Sequence, residues 1–179
     1  NIDNYKLNIF LCETYGIKMK NMIYIYDLET TGLEDSCEII ERYFIDYNFR
    51  KMVSDGIIKP KYPLSPFIKS LTGITDSMVI NGDKDINIFK NDINYILKYT
   101  DKPIFIAHNG DRFDHRILLI KGILNEGNCI FMDSKQIISA SNENKTYTKT
   151  LYEIYKLITN KTKNNIHRAK TDTEMIIEI

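Results

Sequence analysis

The sequence has no tryptophan, only four prolines and eight glycines, and three cysteines among 179 residues. So little proline and glycine excludes a collagen-like or low-complexity chain. Cys12, Cys37 and Cys129 are odd in number and far apart, without metal-type or redox-type spacing. That excludes a cysteine-zinc knuckle and argues against a disulfide scaffold. A reduced, intracellular protein, cytoplasmic or nuclear, is the simplest expectation. No apolar run approaches the roughly 20 residues that cross a bilayer, and the start lacks the order of a secretory signal. A soluble chain without membrane attachment is therefore expected. Neither charge sign dominates, with 24 basic and 24 acidic side chains. Attraction to a polyanion must then come from local charge and specific sites.

Hydrophobic residues make up 43% and charged residues 27%, enough for one domain with a sizeable core. The abundance of Ile, Asn, Lys and Tyr fits an AT-rich genome such as that of a large DNA virus or a protist. Met22 to Asp27 is rich in β-branched and aromatic residues and leads to turn chemistry at Thr31-Gly32, which reads as a buried central strand. Strands follow at Glu38 to Tyr47 and Arg50 to Ile58, the latter stopped by Pro60. Ile86, Phe89, Ile93 and Ile96 share a helical face. Pro103 to Ala107 reads as a fourth strand, Arg112 to Leu124 as a helix, and Ile130 marks a short fifth strand. The layout predicts an α/β, ribonuclease H-like domain: a five-stranded mixed sheet, three strands antiparallel and two parallel, with helices on both faces. The domain spans 22–179, and residues 1–21 form an extension, native or added.

Three constellations carry chemistry. Asp27 and Glu29, two apart on a strand, aim both carboxylates to one face, although a lone Asp-x-Glu at a strand end is usually a solvated loop. His108-Asn109-Gly110-Asp111-Arg112-Phe113-Asp114 occupies a strand-to-helix switch, where α/β proteins commonly place their sites. Asp111 there reads as a helix cap and Asp114 as a site acid. His167-Arg168-Ala169-Lys170-Thr171-Asp172 puts a histidine before a helix and an aspartate on it. Four carboxylates and a histidine on elements that converge suit phosphodiester hydrolysis with two hard divalent cations. A neutral imidazole, His167, is the suited base, and structural roles are expected for His108 and His115.

Tyr26-Asp27-Leu28-Glu29-Thr30-Thr31-Gly32-Leu33, with the two later motifs, resembles the DnaQ-like DEDDh 3′-to-5′ exonucleases. The His108 to Asp114 motif is most similar to the three-prime repair (TREX) group, which has Tyr where Phe113 stands. Leu71-Thr72-Gly73-Ile74-Thr75, Asp133-Ser134 and Tyr147 to Leu151 add to the likeness. The resemblance implies two Mg²⁺ ions, replaceable by Mn²⁺, managed by Asp27, Glu29, Asp114 and Asp172, with His167 activating water. It implies a nucleic-acid partner, single-stranded DNA or a frayed DNA 3′ end, and it allows a homodimer. By the same resemblance Leu33 and Leu71 meet the terminal bases, and Asn109, Arg112 and Phe113 shape the pocket. Thr30, where the oligoribonuclease branch has Met, tilts the substrate toward DNA. The proline-rich loop and long tail of the TREX group have no counterpart in the sequence.

Two alternatives stand beside a DNA exonuclease. One is an RNA 3′ exonuclease, since selectivity rests on 2′-hydroxyl contacts. The other is an inactive nucleic-acid-binding module on the same fold. Basic residues dominate from Lys135 through Lys145, Lys149, Lys156, Lys161, Lys163, Arg168 and Lys170, against Glu143 and Glu153. Lys161 and Lys163, beside His167, are expected to guide phosphates.

Overall fold

A computed structural model describes residues 3–141 and 148–179 of the chain. Tyr147, at the head of one expected motif, and Glu143 and Lys145 of the basic stretch lie outside the described residues.

The chain opens with α1 (Asn4–Tyr15) and β1 (Met19–Lys20), followed by the strands β2 (Ile23–Thr30), β3 (Ile39–Asp46) and β4 (Lys51–Ile57). Three helices come next, α2 (Pro66–Thr72), α3 (Asp76–Ile80) and α4 (Asn87–Tyr99), then β5 (Thr100–Asp101) and β6 (Ile104–Ala107). The chain continues through α5 (Asp114–Ile120), β7 (Ile130–Asp133), α6 (Ser134–Ser141), α7 (Leu151–Thr159) and α8 (Ala169–Glu178).

The main sheet has the order β4-β3-β2-β6-β7, with β2 in the centre. Strands β2, β3 and β4 are antiparallel neighbours, while β6 and β7 add parallel to β2. This is the expected mixed sheet of a ribonuclease H-like fold. The alternation of β2 sorts its side chains. Tyr24, Tyr26 and Leu28 enter a core shared with Phe89, Ile93 and Ile96 of α4 and Ile117 and Leu118 of α5. Ile23 and Ile25 face the other way, against Leu151 and Tyr155 of α7 and Met175 and Ile176 of α8. Helices therefore cover both faces. Asp27 and Glu29 continue the row of Ile23 and Ile25, toward α8.

The first strand outruns its expected end at Asp27. Its pairing with β3 continues to Thr30, whereas its pairing with β6 stops at Ile25 and Ile106. The far end of β2 thus overhangs β6, and the overhang carries both carboxylates. Helix α5 is shorter than the Arg112 to Leu124 expectation. It starts only at Asp114 because Asn109, at φ +57°, opens a turn closed by Arg112 N–H to Asn109 O and Phe113 N–H to Gly110 O. It ends where Gly122, at φ +62°, leaves helical space. Asp111 consequently lies outside the helix and accepts from Gln136 Nε2 at 2.6 Å instead of capping.

Residues 3–21 are docked on the sheet domain. Tyr5 and Cys12 of α1 are buried, the Tyr5 ring meets Phe49 edge-on, and β1 pairs in parallel with β5. No helix among the described residues is long and apolar enough to cross a membrane.

Candidate active site

Carboxylate oxygens of Asp27, Glu29 and Asp172 lie within 4.8 Å of one another. Two come from the β2 overhang and the third from the first turns of α8, which packs across β2. These three residues keep partial solvent access, yet protein atoms crowd their carboxyl groups. Burial first, then repulsion from Asp114, Asp172 and Glu29, raises Asp27 well above the usual aspartate range. Burial foremost, then repulsion from Asp172, Glu41 and Asp114, pushes Glu29 up to about 9. Burial, with repulsion from Glu41 and against the His167 N–H hydrogen bond, pushes Asp172 up to about 7. Acids gathered without a matching cation hold protons into the neutral range. Such a set favours a bound metal ion, which displaces those protons.

Asp114 stands just outside that triad. It is 4% exposed, and its Oδ1 accepts the Leu28 N–H at 3.2 Å. That N–H is available because the β2–β6 ladder has already ended. Burial pushes Asp114 up to about 7 against the lowering effect of this hydrogen bond. Its charge reaches Asp27 and Glu29 all the same.

His167 is exposed and held in the left-handed region at φ +63°, with Asn165 before it at +56°. The chain thereby folds back, and the His167 N–H donates to Asp172 Oδ1 at 3.1 Å. The imidazole and the metal-type carboxylate thus share one turn. A pocket of about 470 Å³ brings together Asp27, Glu29, Asp114, His167 and Asp172.

The expected substrate contacts divide. Leu33, Asn109, Arg112 and Phe113 line that pocket, and Leu33 is 76% exposed at its lip. Leu71 sits on α2 and is not among the pocket's walls. Thr30 points to the opposite face of β2, is buried, and spends its hydroxyl on Gly32 O at 2.6 Å. Strand alternation alone accounts for this, since Glu29 already takes the pocket side. Lys161 and Lys163 lie in the loop between α7 and α8. Lys161 pairs with Glu178 at 3.2 Å, and Lys163 pairs with Glu178 at 2.8 Å and Glu174 at 3.4 Å. In the structure both lysines, expected to meet phosphate, are paired with carboxylates of α8.

Sequence reasoning missed Glu41. It lies opposite Glu29 on β3 and is buried. Arg168 Nε donates to both its oxygens at 3.0 Å, and Arg168 Nη2 to Oε1 at 2.5 Å. The Ala169 N–H, at the start of α8, donates to Oε2 at 2.9 Å. One carboxylate therefore caps α8 and grips the residue between His167 and the helix. Burial beside the pocket and a contribution to raising Asp27, Glu29 and Asp172 mark it in the structure. The sequence offers no signal beyond an acid amid the apolar run of β3.

The two other histidines hold the neighbouring framework. His115 is 3% exposed, with Nδ1 2.7 Å from Tyr26 Oη and Nε2 3.1 Å from Met132 O. A carbonyl can only accept, so Nε2 carries the proton and Nδ1 accepts from the tyrosine. A Cβ on Gly110 would come 2.5 Å from this fixed ring, which accounts for glycine there. His108 Nδ1 meets Ser134 Oγ at 3.0 Å, and burial lowers His108 to about 4, leaving it neutral at pH 7.

Comparison with known proteins agrees with this geometry. The chain is 28% identical over 198 residues to the uncharacterized exonuclease R569 of Acanthamoeba polyphaga mimivirus, matching 94% of this chain and 61% of that protein. Among solved structures, E. coli exonuclease I in complex with a dA16 oligonucleotide superposes with a TM-score of 0.69 at 17% identity, covering 88% of this chain and 39% of that one. A 3′-exonuclease solved for 3′-end-specific recognition of the histone mRNA stem-loop gives 0.66 at 16% identity, with 97% and 68% covered. The chain thus spans about three fifths of the viral relative and two fifths of exonuclease I. The exonuclease family model RNase T matches residues 24–179, most of the chain, and the chain belongs to that exonuclease family.

Proposed function

We propose that this domain removes nucleotides from the 3′ end of a nucleic-acid strand, preferring DNA, by metal-assisted phosphodiester hydrolysis. The observation that carries the reading is the carboxylate triad of Asp27, Glu29 and Asp172 in a pocket shared with Asp114 and His167.

The donor set fits hard divalent cations, because every ligand offered is a carboxylate oxygen and no cysteine or serine nucleophile stands in the pocket. Asp27, Glu29 and Asp172 would hold Mg²⁺, with Asp114 completing a two-ion set. When bound, such ions stabilise charge on the attacking and leaving oxygens of a phosphodiester. The protein's own groups do the rest. His167 takes the proton of the attacking water on its imidazole. The Asp172–His167 backbone bond and the Glu41–Arg168 grip keep that imidazole beside the carboxylates. Leu33 at the lip and Phe113 in the wall offer apolar surface to the terminal base, while Arg112 meets phosphate.

The DNA preference rests on the likeness of His108 to Asp114 to the TREX motif. It no longer draws on Thr30, whose side chain is turned away. The RNA stem-loop named for one protein of this fold keeps RNA as the second reading. A single experiment tests both: degradation of matched DNA and RNA oligonucleotides, labelled at either end, with Mg²⁺ and with excess EDTA. The expected result is metal-dependent, stepwise loss from the 3′ end, faster on DNA. Full activity in EDTA, or loss from the 5′ end, would overturn the proposal.

A further inference from the structure

We infer that a second nucleic-acid contact, distinct from the carboxylate pocket, lies in a lysine-rimmed cleft that takes the backbone phosphates of the strand upstream of the reacting end. This rests on the reading of the chain as a nucleic-acid enzyme. The cleft encloses about 770 Å³ and is rimmed by Lys59, Lys61, Lys84 and Lys121 over a floor that includes Ile39 and Ile58.

Its walls are fixed by backbone bonds. Asp83 N–H donates to Ile57 O at 2.8 Å and Lys59 N–H to Asp83 O at 2.9 Å. Lys59 and Lys84 therefore project from two strands of chain tied side by side. The Lys61 N–H is held by both carboxylate oxygens of Glu38 at 3.1 Å. The Lys61 ammonium stands 5.3 Å from the ring of Tyr62, which is 67% exposed. A positive groove with an exposed aromatic ring next to its rim has the elements by which proteins track single strands without reading sequence.

Charge separates this cleft from the stretch beside His167. Lys161 and Lys163 are neutralised by Glu174 and Glu178. None of Lys59, Lys61, Lys84 and Lys121 forms an ion pair among the described residues. The cleft's own acids, Glu38 and Asp85, both accept backbone N–H groups, from Lys61 and from Asn87. Four ammonium groups against two carboxylates leave a positive surface.

The cleft adjoins the carboxylate pocket. Arg116 lines that pocket, donates to Leu33 O at 3.0 Å and pairs with Asp35. Lys121, just past the end of α5, donates to Asp35 O at 3.3 Å and lines the cleft. The segment carrying Leu33, Asp35 and Glu38 is thus a common wall. The two basic residues are five apart in sequence, a rise of roughly 7–8 Å along the helix axis, comparable with one or two nucleotides of strand. A strand whose 3′ end occupies the pocket would cross the Leu33 lip and lay its phosphates on the lysines.

The test uses the full chain with Lys59→Ala/Lys84→Ala, and Lys161→Ala/Lys163→Ala as a control of equal charge change. Binding of dT20 and of rU20 is measured by fluorescence anisotropy across a salt series, with Ca²⁺ replacing Mg²⁺. For the cleft variant, affinity should fall about tenfold near 0.1 M salt, and the slope of log K against log salt should flatten by about 1.4, the release expected for two single-strand phosphates. Both homopolymers should lose alike, since they share the phosphate charge, and the control should keep its slope. Equal loss in both variants would reveal a net-charge effect and overturn the inference. Unchanged binding in the cleft variant, or loss confined to one homopolymer, would also overturn it. Hydrolysis is scored separately, so a wild-type chain that binds through the lysines but cleaves neither polymer would sink the exonuclease reading and leave the cleft standing.

Discussion

On its inner face, α8 turns Asp172 toward Asp27, Glu29 and the buried Glu41. On its outer face, Glu178 receives Lys161, Lys163 and the hydroxyl of Tyr155, the last at 3.0 Å. The two acids are six residues apart on one helix and are driven in opposite directions. Burial among like charges lifts Asp172 to about 7, while hydrogen bonds from Lys163 first, then Lys161 and Tyr155, lower Glu178 to about 2. The inner face holds protons on crowded carboxyl groups, which a cation can displace. The outer face has spent its charge on holding the loop before His167.

Breaking the inner face should have the largest effect. Asp172→Asn should reduce hydrolysis to background while the chain still folds, whereas Glu178→Gln should keep a rate near wild type. Single-turnover assays on a labelled oligonucleotide decide this, and comparable activity of the two variants would erase the distinction between the faces. His167→Ala comes next, with a loss of roughly 10²–10⁴-fold, the usual contribution of a general base. Strand binding should survive it; an unchanged rate would move the base elsewhere.

The two faces should also leave opposite marks on stability against pH. Asp172 and Glu29 have folded values above their unfolded ones, so without metal their folded state binds extra protons. Stability from them is present at low pH and lost as pH rises past about 4 through about 7 and about 9. Glu178 is depressed, so its contribution is present above about 4.5 and lost as pH falls toward about 2. Melting temperature in EDTA should therefore decline from mildly acidic to alkaline pH, and Mg²⁺ should cancel that decline. A flat alkaline limb in EDTA would show that the carboxylates are not crowded as described.

The smallest effect belongs to Lys161→Ala/Lys163→Ala. Partly exposed ion pairs contribute little, so the melting temperature should drop by no more than about 2–4 °C. The salt slope for oligonucleotide binding should stay as it is. A flattened slope would return these lysines to the path of the strand.

Sequence alone determined whatever depends on local period and residue type. Alternation along β2 put Asp27 and Glu29 on one side, and the apolar spacing of α4 fixed which face meets the sheet. The order of carboxylates and histidine across three motifs pointed to metal-assisted chemistry before any contact was known. Local chemistry also misled at Asp111, where a capping residue in type is no cap, because Asn109 turns the chain and α5 starts three residues later.

Tertiary structure decided which charges find partners. Glu41 and Arg168 are 127 residues apart in sequence, and only the neighbourhood of β3 and α8 makes them a pair. The lysines before His167 looked free to meet phosphate until α8 brought Glu174 and Glu178 against them. Lys59, Lys84 and Lys121, scattered through an evenly charged chain, became one positive cleft only when β4, the segment before α4 and the end of α5 converged. The physical reason is that Coulomb interaction falls with distance in space and takes no account of separation along the chain. Composition gives a net charge of zero. The fold divides that zero into an acidic pocket, a basic cleft and a neutralised outer helix face.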